Sequence, residues 1–576
     1  MLQISSGKLF QREIERSNQL RGVFYSNLKV FGKHKIETAA GFLLPTSNLR
    51  RSLALVYEYN ELIESEKTGE ALLVSHGIDP YISDFSTIVS FALNCVATTD
   101  YELADRLISD QQSLLTSGPP KSLVRRFFDK EIFCQPHDEE YLVNFVKQLI
   151  GLERKHFLGA IRAIRTYVTG MHRIADDVEL AYTLLVASIE SLAQDFDGHQ
   201  SVWSDFEERK RKKIDKALDG ASDDVVERVK STILEIEHTS LSKRFQSFAI
   251  DHITPSYYRE EAKDAVRPIA KSDLNTALNQ AYRARSRYIH NLRELPRILT
   301  TTDSFSEINR IDGKTWLTLQ GLSRLAKHVI TEFIMRQPIV DTESYDYRLE
   351  RAGIIQLPLA PQYWVGNISN LNRESGFKKL EGFLEQLSLH LMRVDKATIT
   401  DLRPALIEVE KLLPSMKKSE RLPFLVLYTL FNELLPEEDR MKGQKELREK
   451  YLDEITAPSS ESMIVNLLFG SIPDWELLVH DKILTDYFKN RDNKFGFRAP
   501  RVLEAGMVLM LAERYRLAKD FERVQEMISL AVENYPDHTG LREFETKYCP
   551  QEHGQIIWSS ILLPGQNDES NQNKNT

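Results

Sequence analysis

At 576 residues the chain is too long for one ordinary core, and two to four domains are expected. Hydrophobic residues make up 42% and charged residues 28%, the balance of an ordinary soluble globular protein. A formal net charge of −9 argues against a body coated in nucleic acid, which would carry a basic excess, but leaves room for a small basic site.

Residues 1–100 read as a β-rich domain. The runs GVFYSNLKVF, KIETAAGFLLP, SLALVYEYNELIE and ALLVSHGIDPYI are short, rich in aromatic or branched residues, and bounded by Gly, Pro, Asn or Ser. A small sheet is expected there, as a sandwich or partial barrel. Residues 101–139 form a connecting segment: YELADRLI reads helical, and TSGPPKS at 117–123 breaks the chain. From 140 to 337 the periodicity is mostly helical. VELAYTLLVASIESLAQDF spaces its apolar residues at three and four, as a buried helix does. The stretch 205–216 is charged, and DDVVERVKSTILEIE resumes the helical period. Prolines in ITPSYY and VRPIAKSD mark turns. Asp273 is placed to cap a helix LNTALNQAYRARSRYIHNLREL, which must end near Pro296. TWLTLQGLSRLAKHVITEFIM, 315–335, is a further amphipathic helix.

Residues 338–375 read as a linker with some packed structure, and helices resume over 376–563. Within AGMVLMLAERYRLAKDFERVQEMISLAVENYP, Leu511, Ala512, Tyr515, Ile528, Ala531 and Pro536 fall where a tetratricopeptide repeat places its packing residues, whereas Val524 stands where that repeat has a small residue. A generic helical hairpin fits the same spacing. Residues 564–576 are polar and are expected to be a disordered tail.

Three cysteines, Cys95, Cys134 and Cys549, lie far apart with no CxxC pair, so reduced thiols are expected and no zinc site is indicated. The N-terminus has no apolar core of signal-peptide length and no run of membrane-spanning length occurs, so a cytoplasmic location without membrane association is expected. IDGKT at 311–315 lacks the early glycine of a phosphate loop, since position 308 is Ile. PHDEE at 136–140 sets a His beside three carboxylates, a set that binds a divalent ion or, more simply, forms a solvated loop. ERKRKKIDK at 208–216 fits a solvated helix face better than a phosphate-binding one, because nothing aromatic is interleaved with it.

One constellation carries chemistry: QAYRARSRYIHNLRE, residues 280–294. Arg283, Arg287 and His290 fall on one helical face. Arg285 lies five positions before His290, about 140° round the helix, within reach of a shared ligand only through its long side chain. A histidine titrates near neutral pH and moves protons. An arginine holds phosphate oxygens through paired donors and stabilises charge growing there. Together they suit attack of a ribose 2′-hydroxyl on its neighbouring phosphate, a reaction that needs a base, an acid and a cation. Other phosphoryl chemistry, pure binding, or an ordinary surface helix fit the same residues, with Tyr282 and Tyr288 as packing groups.

RSRYIH fits the R-x4-6-H motif of the HEPN superfamily, and the helix containing LLVASIESLAQDF resembles the one that precedes that motif in the Apea-like branch. The opening SGKLFQREIERSNQLRGVFYSN, followed by ETAAGFLLPTS, resembles the β-rich segment found before such domains. The resemblance covers residues 140–337 well and 1–100 loosely. It implies a bundle of four or five helices that pairs as a homodimer, with one arginine and one histidine from each copy lining a shared cleft. It further implies a metal-independent endoribonuclease, often a toxin or antiviral defence effector. His290 would be the proton-transfer group and Arg285 the transition-state clamp. Glu190 would orient them, and Arg283 and Arg287 would contact RNA. Where many active members carry Asn, Asp or His after the arginine, this chain has Ser286, a departure that Asn291 would partly offset. No cofactor or metal is implied.

The expected architecture is therefore multidomain and mainly α: a β-rich front, a central HEPN-type bundle and a C-terminal TPR-like region. Cleavage of single-stranded RNA is the leading expectation. The alternatives are a catalytically inactive HEPN module that dimerises and binds RNA or a partner, with the C-terminal repeats as scaffold, and a helical scaffold with no nucleic-acid role.

Overall fold

Strand pairing at the front of the chain follows the alternation of its apolar residues. The computed structural model describes residues 1–30, 35–45, 53–64, 77–109, 120–198, 203, 208–236, 241–300, 305–351, 357, 359–369, 371–549 and 554–564. In chain order the first strands are β1 (Ile14–Ser26), β2 (Leu28–Lys29), β3 (Ile36–Thr38), β4 (Gly41–Pro45) and β5 (Ala54–Glu64). With β6 (Ala97–Thr98) they form a sheet in the order β3-β4-β5-β1-β6, while β2 pairs in parallel with β7 (Ile132–Phe133). Every pairing in the larger sheet is antiparallel, with Val23 opposite Val56. This is one sheet covered by a helix, where the sequence suggests a sandwich or partial barrel. The β3–β4 turn requires Gly41: its φ is +104°, and a Cβ there would sit 2.5 Å from the Glu58 carbonyl oxygen.

The covering helix is α1 (Asp79–Leu93). Part of it lies in ALLVSHGIDPYI, which reads as strand from its short apolar runs. Positions 71–76 of that run lie outside the described residues. From Asp79 onward Tyr81, Ile82, Phe85, Ile88 and Val89 recur at helical spacing and are all buried, and the Pro80 ring suits a first helical turn. Tyr57 on β5 stacks on Phe85 with ring centroids 4.2 Å apart.

Next come α2 (Tyr101–Ile108), α3 (Pro120–Leu123), α4 (Pro136–Gly151), α5 (Arg154–Arg173), α6 (Val178–Phe196), α7 (Glu208–Ala217), α8 (Asp223–Ile236), α9 (Leu241–Asp251) and α10 (Leu274–Asn291). A hairpin, β8 (Ile308–Ile311) and β9 (Lys314–Leu317), precedes α11 (Leu319–Arg336). Helix α6 is apolar on nearly every side, so it packs centrally against α5, α9, α10 and α11. Sheet and bundle share one apolar core, from Phe24 and Tyr57 through Phe91 and Phe145 to Leu185 and Leu322. These elements lie in the first of two compact units, residues 1–355 and 356–576.

Three local expectations change. PHDEE is not a loop: Pro136 opens α4, and Asp138 turns back to accept the Gln135 amide at 3.0 Å. IDGKT is the β8–β9 turn, where Asp312 and Gly313 both have positive φ as a two-residue hairpin demands. The helix expected from 315 therefore starts at Leu319, capped by the Thr318 hydroxyl, which accepts from the Gly321 amide.

The second unit is helical among its described residues. Its segment with repeat-like spacing forms two helices, Arg501–Leu517 and Phe521–Asn534, whose Leu511, Ala512, Tyr515, Ile528 and Ala531 are buried. The tail expected at 564–576 lies, beyond Pro564, outside the described residues. No helix among the described residues is long and apolar enough to cross a membrane. Cys95 and Cys134 are buried thiols, each pushed up to about 12 first by burial.

Helix α11 can approach the β8 side only because residue 321 lacks a side chain: a Cβ there would lie 2.2 Å from the Glu307 carbonyl oxygen, a backbone atom with little freedom to move. Gly321→Ala is expected to destabilise the first unit by about 1–3 kcal/mol, the range for overpacking. A urea titration followed by tryptophan fluorescence and circular dichroism would read this as a lowered midpoint; an unchanged midpoint would disprove the close-approach argument.

Candidate functional site

Helix α10 carries the Arg-and-His motif and is anchored through polar contacts to α6. Tyr282 donates its hydroxyl to Glu190 Oε1 at 3.1 Å, and Arg285 Nη2 lies 2.9 Å from Glu190 Oε2. One turn on, Tyr288 donates to Asp177 Oδ2 at 3.1 Å, and the Leu295 amide donates to Glu179 at 3.4 Å. These contacts run in reverse order along the two helices, so α6 and α10 lie antiparallel. Asp177 also caps α6 by accepting from the Leu180 amide at 2.8 Å, so one carboxylate serves both helices.

Glu190 is 3% exposed, the buried carboxylate of a largely apolar helix. A carboxylate at that depth needs donors, and Tyr282 and Arg285, three positions apart on α10, supply them from one face. The Arg285 guanidinium also lies 5.7 Å from the Tyr282 ring centroid. Burial, then the charge of Glu190, pushes the Tyr282 hydroxyl up to about 12, so it stays a donor at neutral pH. Arg285 Nε is shielded and has no hydrogen-bond partner among the described residues.

The other motif residues point elsewhere. Arg283, Arg287, His290 and Asn291 are exposed, and Ser286 is half-buried. Among the described residues none of these side chains makes a hydrogen bond or an ion pair. The helix ends at Asn291 rather than near Pro296, because Leu292 adopts a left-handed conformation (φ 48°) and turns the chain. His290 thus stands in the last turn, about 7.5 Å along the axis from Arg285. Ile289 and Leu292 beside it are exposed apolar groups.

The structure therefore brings Arg285 and Glu190 together and adds Tyr282, which sequence reading treats as a packing residue. The usable signal was a tyrosine three positions before an arginine, able to meet a carboxylate set within the apolar run of another helix. His290, Asn291, Arg283 and Arg287 form a separate, outward-facing group. The charged run at 208–216 lies in α7, and Lys210, Lys212, Lys213 and Lys216 are exposed there. No group of three or more His, Cys, Asp or Glu residues with metal-site geometry occurs among the described residues. No family model, curated protein or solved structure matches this chain.

Removing the charge of Glu190 leaves a largely buried guanidinium uncompensated. Glu190→Gln is expected to lower stability by about 2–4 kcal/mol, discounted from a fully buried pair because Arg285 keeps some solvent contact. Adding Arg285→Met should recover part of that loss. A double-mutant cycle in urea reads the coupling, about 1 kcal/mol or more; strict additivity would mean that the ion pair contributes nothing.

Proposed function

We propose that this chain is a metal-independent endoribonuclease of HEPN type that cleaves single-stranded RNA, with His290 transferring the proton and Arg285 stabilising charge on the phosphate. The observation that carries this reading is the uncommitted basic face of α10. In a chain of net charge −9, Arg283, Arg287 and His290 line one exposed stripe without a carboxylate partner among the described residues. Such a stripe attracts a phosphate backbone, and arginines track it. Arg285, anchored by Glu190 and Tyr282, keeps part of its guanidinium exposed, with N–H donors beyond the one that faces Glu190.

In this mechanism the imidazole takes the 2′-hydroxyl proton as the 2′-oxygen attacks phosphorus. The guanidinium holds the non-bridging oxygens as charge builds, and the 5′-oxygen leaves with a proton supplied by an acid. The products are a 2′,3′-cyclic phosphate and a 5′-hydroxyl. A homodimer fits the exposed Ile289 and Leu292, which flank His290 and would be covered when two α10 helices meet. The pairing would bring the arginine of one copy toward the histidine of the other, which eases the angular separation within one helix. Ser286 and Asn291 would complete the cleft through single hydrogen bonds. The C-terminal helices, read as TPR-like, would engage a protein partner that restrains the nuclease, and the chain would act in the cytoplasm as a toxin or antiviral effector.

A second reading, a non-catalytic HEPN module that dimerises and binds RNA or a partner, is favoured by one observation: the charge of Arg285 is already balanced by Glu190.

Purified protein is expected to cleave single-stranded RNA in the presence of a chelator, leaving cyclic phosphate ends. His290→Ala should slow this about a hundredfold or more while retaining RNA binding. Wild-type binding without cleavage would support the second reading, and undiminished cleavage by the His290 variant would eliminate the mechanism.

A further inference from the structure

A cavity of 560 Å³ opens beside α11, on residues that the nuclease reading does not use. Its wall runs from the end of α1 through the 124–126 segment to the start of α4 and the turn at 261–265. That volume lies within the range of small-molecule sites, and Leu93, Val124, Tyr141 and Tyr167 give it an apolar side. The opposite side is polar because Gln320, Ser323, Arg324, Lys327 and Thr331 recur at helical spacing along one flank of α11.

Of the five carboxylates in this wall, Asp264 is exposed, Glu332 lies 3.9 Å from Arg336, and the other three are paired more closely. Glu307 takes a two-pronged contact from Arg324, with Nη2 at 2.7 Å from Oε2. His328 Nδ1 lies 2.8 Å from Glu261, and Asp138 accepts the Gln135 amide and faces Arg126 at 3.3 Å. Lys327 differs. Its Nζ donates to the Ala92 carbonyl at 3.1 Å, in the last turn of α1, and no carboxylate lies within ion-pair distance among the described residues. Satisfying that helix-end carbonyl uses one of three donors and neutralises no charge. Burial, then the nearby positive charge of Arg126, lowers the ammonium to about 8, against the opposing pull of Cys95, Glu261 and Asp138. Arg126 itself sits at φ +65°, a conformation a non-glycine residue keeps only where its surroundings impose it. Asn27 helps impose it by donating to the Phe127 and Asp129 carbonyls.

Arg125, Arg126, Arg324 and Lys327 all line this cavity, and the Lys327 ammonium stands there without a carboxylate at ion-pair distance among the described residues. We infer that this cavity binds a small organic molecule through a phosphate or carboxylate group held between Lys327 and Arg126, with its apolar body against Tyr141 and Tyr167. The anion would relieve the repulsion between the two side chains and accept the remaining Lys327 donors.

Pyridoxal 5′-phosphate is a suitable probe, since it offers a phosphate and an aldehyde together. The Lys327 amine would add to the aldehyde carbon with loss of water to give an imine, which borohydride reduces to a secondary amine that peptide mass spectrometry locates. On the full-length protein at pH 8, Lys327 is expected to be labelled ahead of exposed lysines such as Lys271 and Lys314, and ahead of its labelling by pyridoxal, which lacks the phosphate. Inorganic phosphate or citrate, in separate arms, should protect it. Protection by phosphate alone assigns a phosphate-bearing ligand, and protection by citrate alone a carboxylate-bearing one. Arg126→Gln should weaken that protection about tenfold, the ratio for one lost charge-assisted contact. Labelling of Lys327 no faster than Lys271 and Lys314, or labelling that neither anion slows, would overturn the proposal. Because RNA cleavage is not the readout, either result is independent of the nuclease reading.

Discussion

A carboxylate buried in an apolar helix is tolerated only where donors meet it, and Glu190 is such a group. Its two oxygens are met by Tyr282 and Arg285, both from α10. That contact fixes the rotation of α10 about its axis: with Tyr282 and Arg285 turned inward, Arg283, Arg287 and His290 must face out. The basic stripe is thus a consequence of the inward pair, and the motif helix has one polar face for anchoring and another for solvent. Tyr288 and the Leu295 amide extend the anchorage to the start of α6, which steadies the last turn, where His290 stands.

The same logic governs α11. Its apolar face, with Leu322, Leu325, Val329 and Phe333, is buried in the core. Its polar flank meets other charged groups in a partly enclosed space, where unpaired charge is costly. Arg324 and His328 are matched to carboxylates. Lys327 is matched to a carbonyl, which sets its ammonium apart from the carboxylate-paired side chains beside it. The first unit therefore presents two regions of different character: an outward basic helix face and a recessed cavity of mixed charge.

Much of the fold was legible because helices and strands are written in short-range periodicity. The spacing of VELAYTLLVASIESLAQDF gives α6, and the R-x4-6-H segment falls on a helix as its period requires. The failures were local and had local causes. ALLVSHGIDPYI mixes a short apolar run with the first turn of α1, and short apolar runs do not distinguish strand from buried helix. IDGKT reads as a broken phosphate loop until Asp312 and Gly313 are recognised as a hairpin turn. PHDEE reads as a loop because its proline and acids look like punctuation, whereas those residues open α4.

By itself the sequence determined that the chain is mainly helical, that a sheet stands at its front, and that a cluster of arginines and a histidine shares one helix. These follow from neighbours within a few positions, where sterics and amphipathic spacing act. Only the tertiary structure decided which of those side chains face each other. Tyr282 and Glu190 are 92 positions apart, and Lys327 meets the end of α1 across 235. Contacts at such separations depend on how helices rotate to bury their apolar faces, and that rotation sent Arg285 inward, left His290 outside, and placed Lys327 at the edge of a cavity.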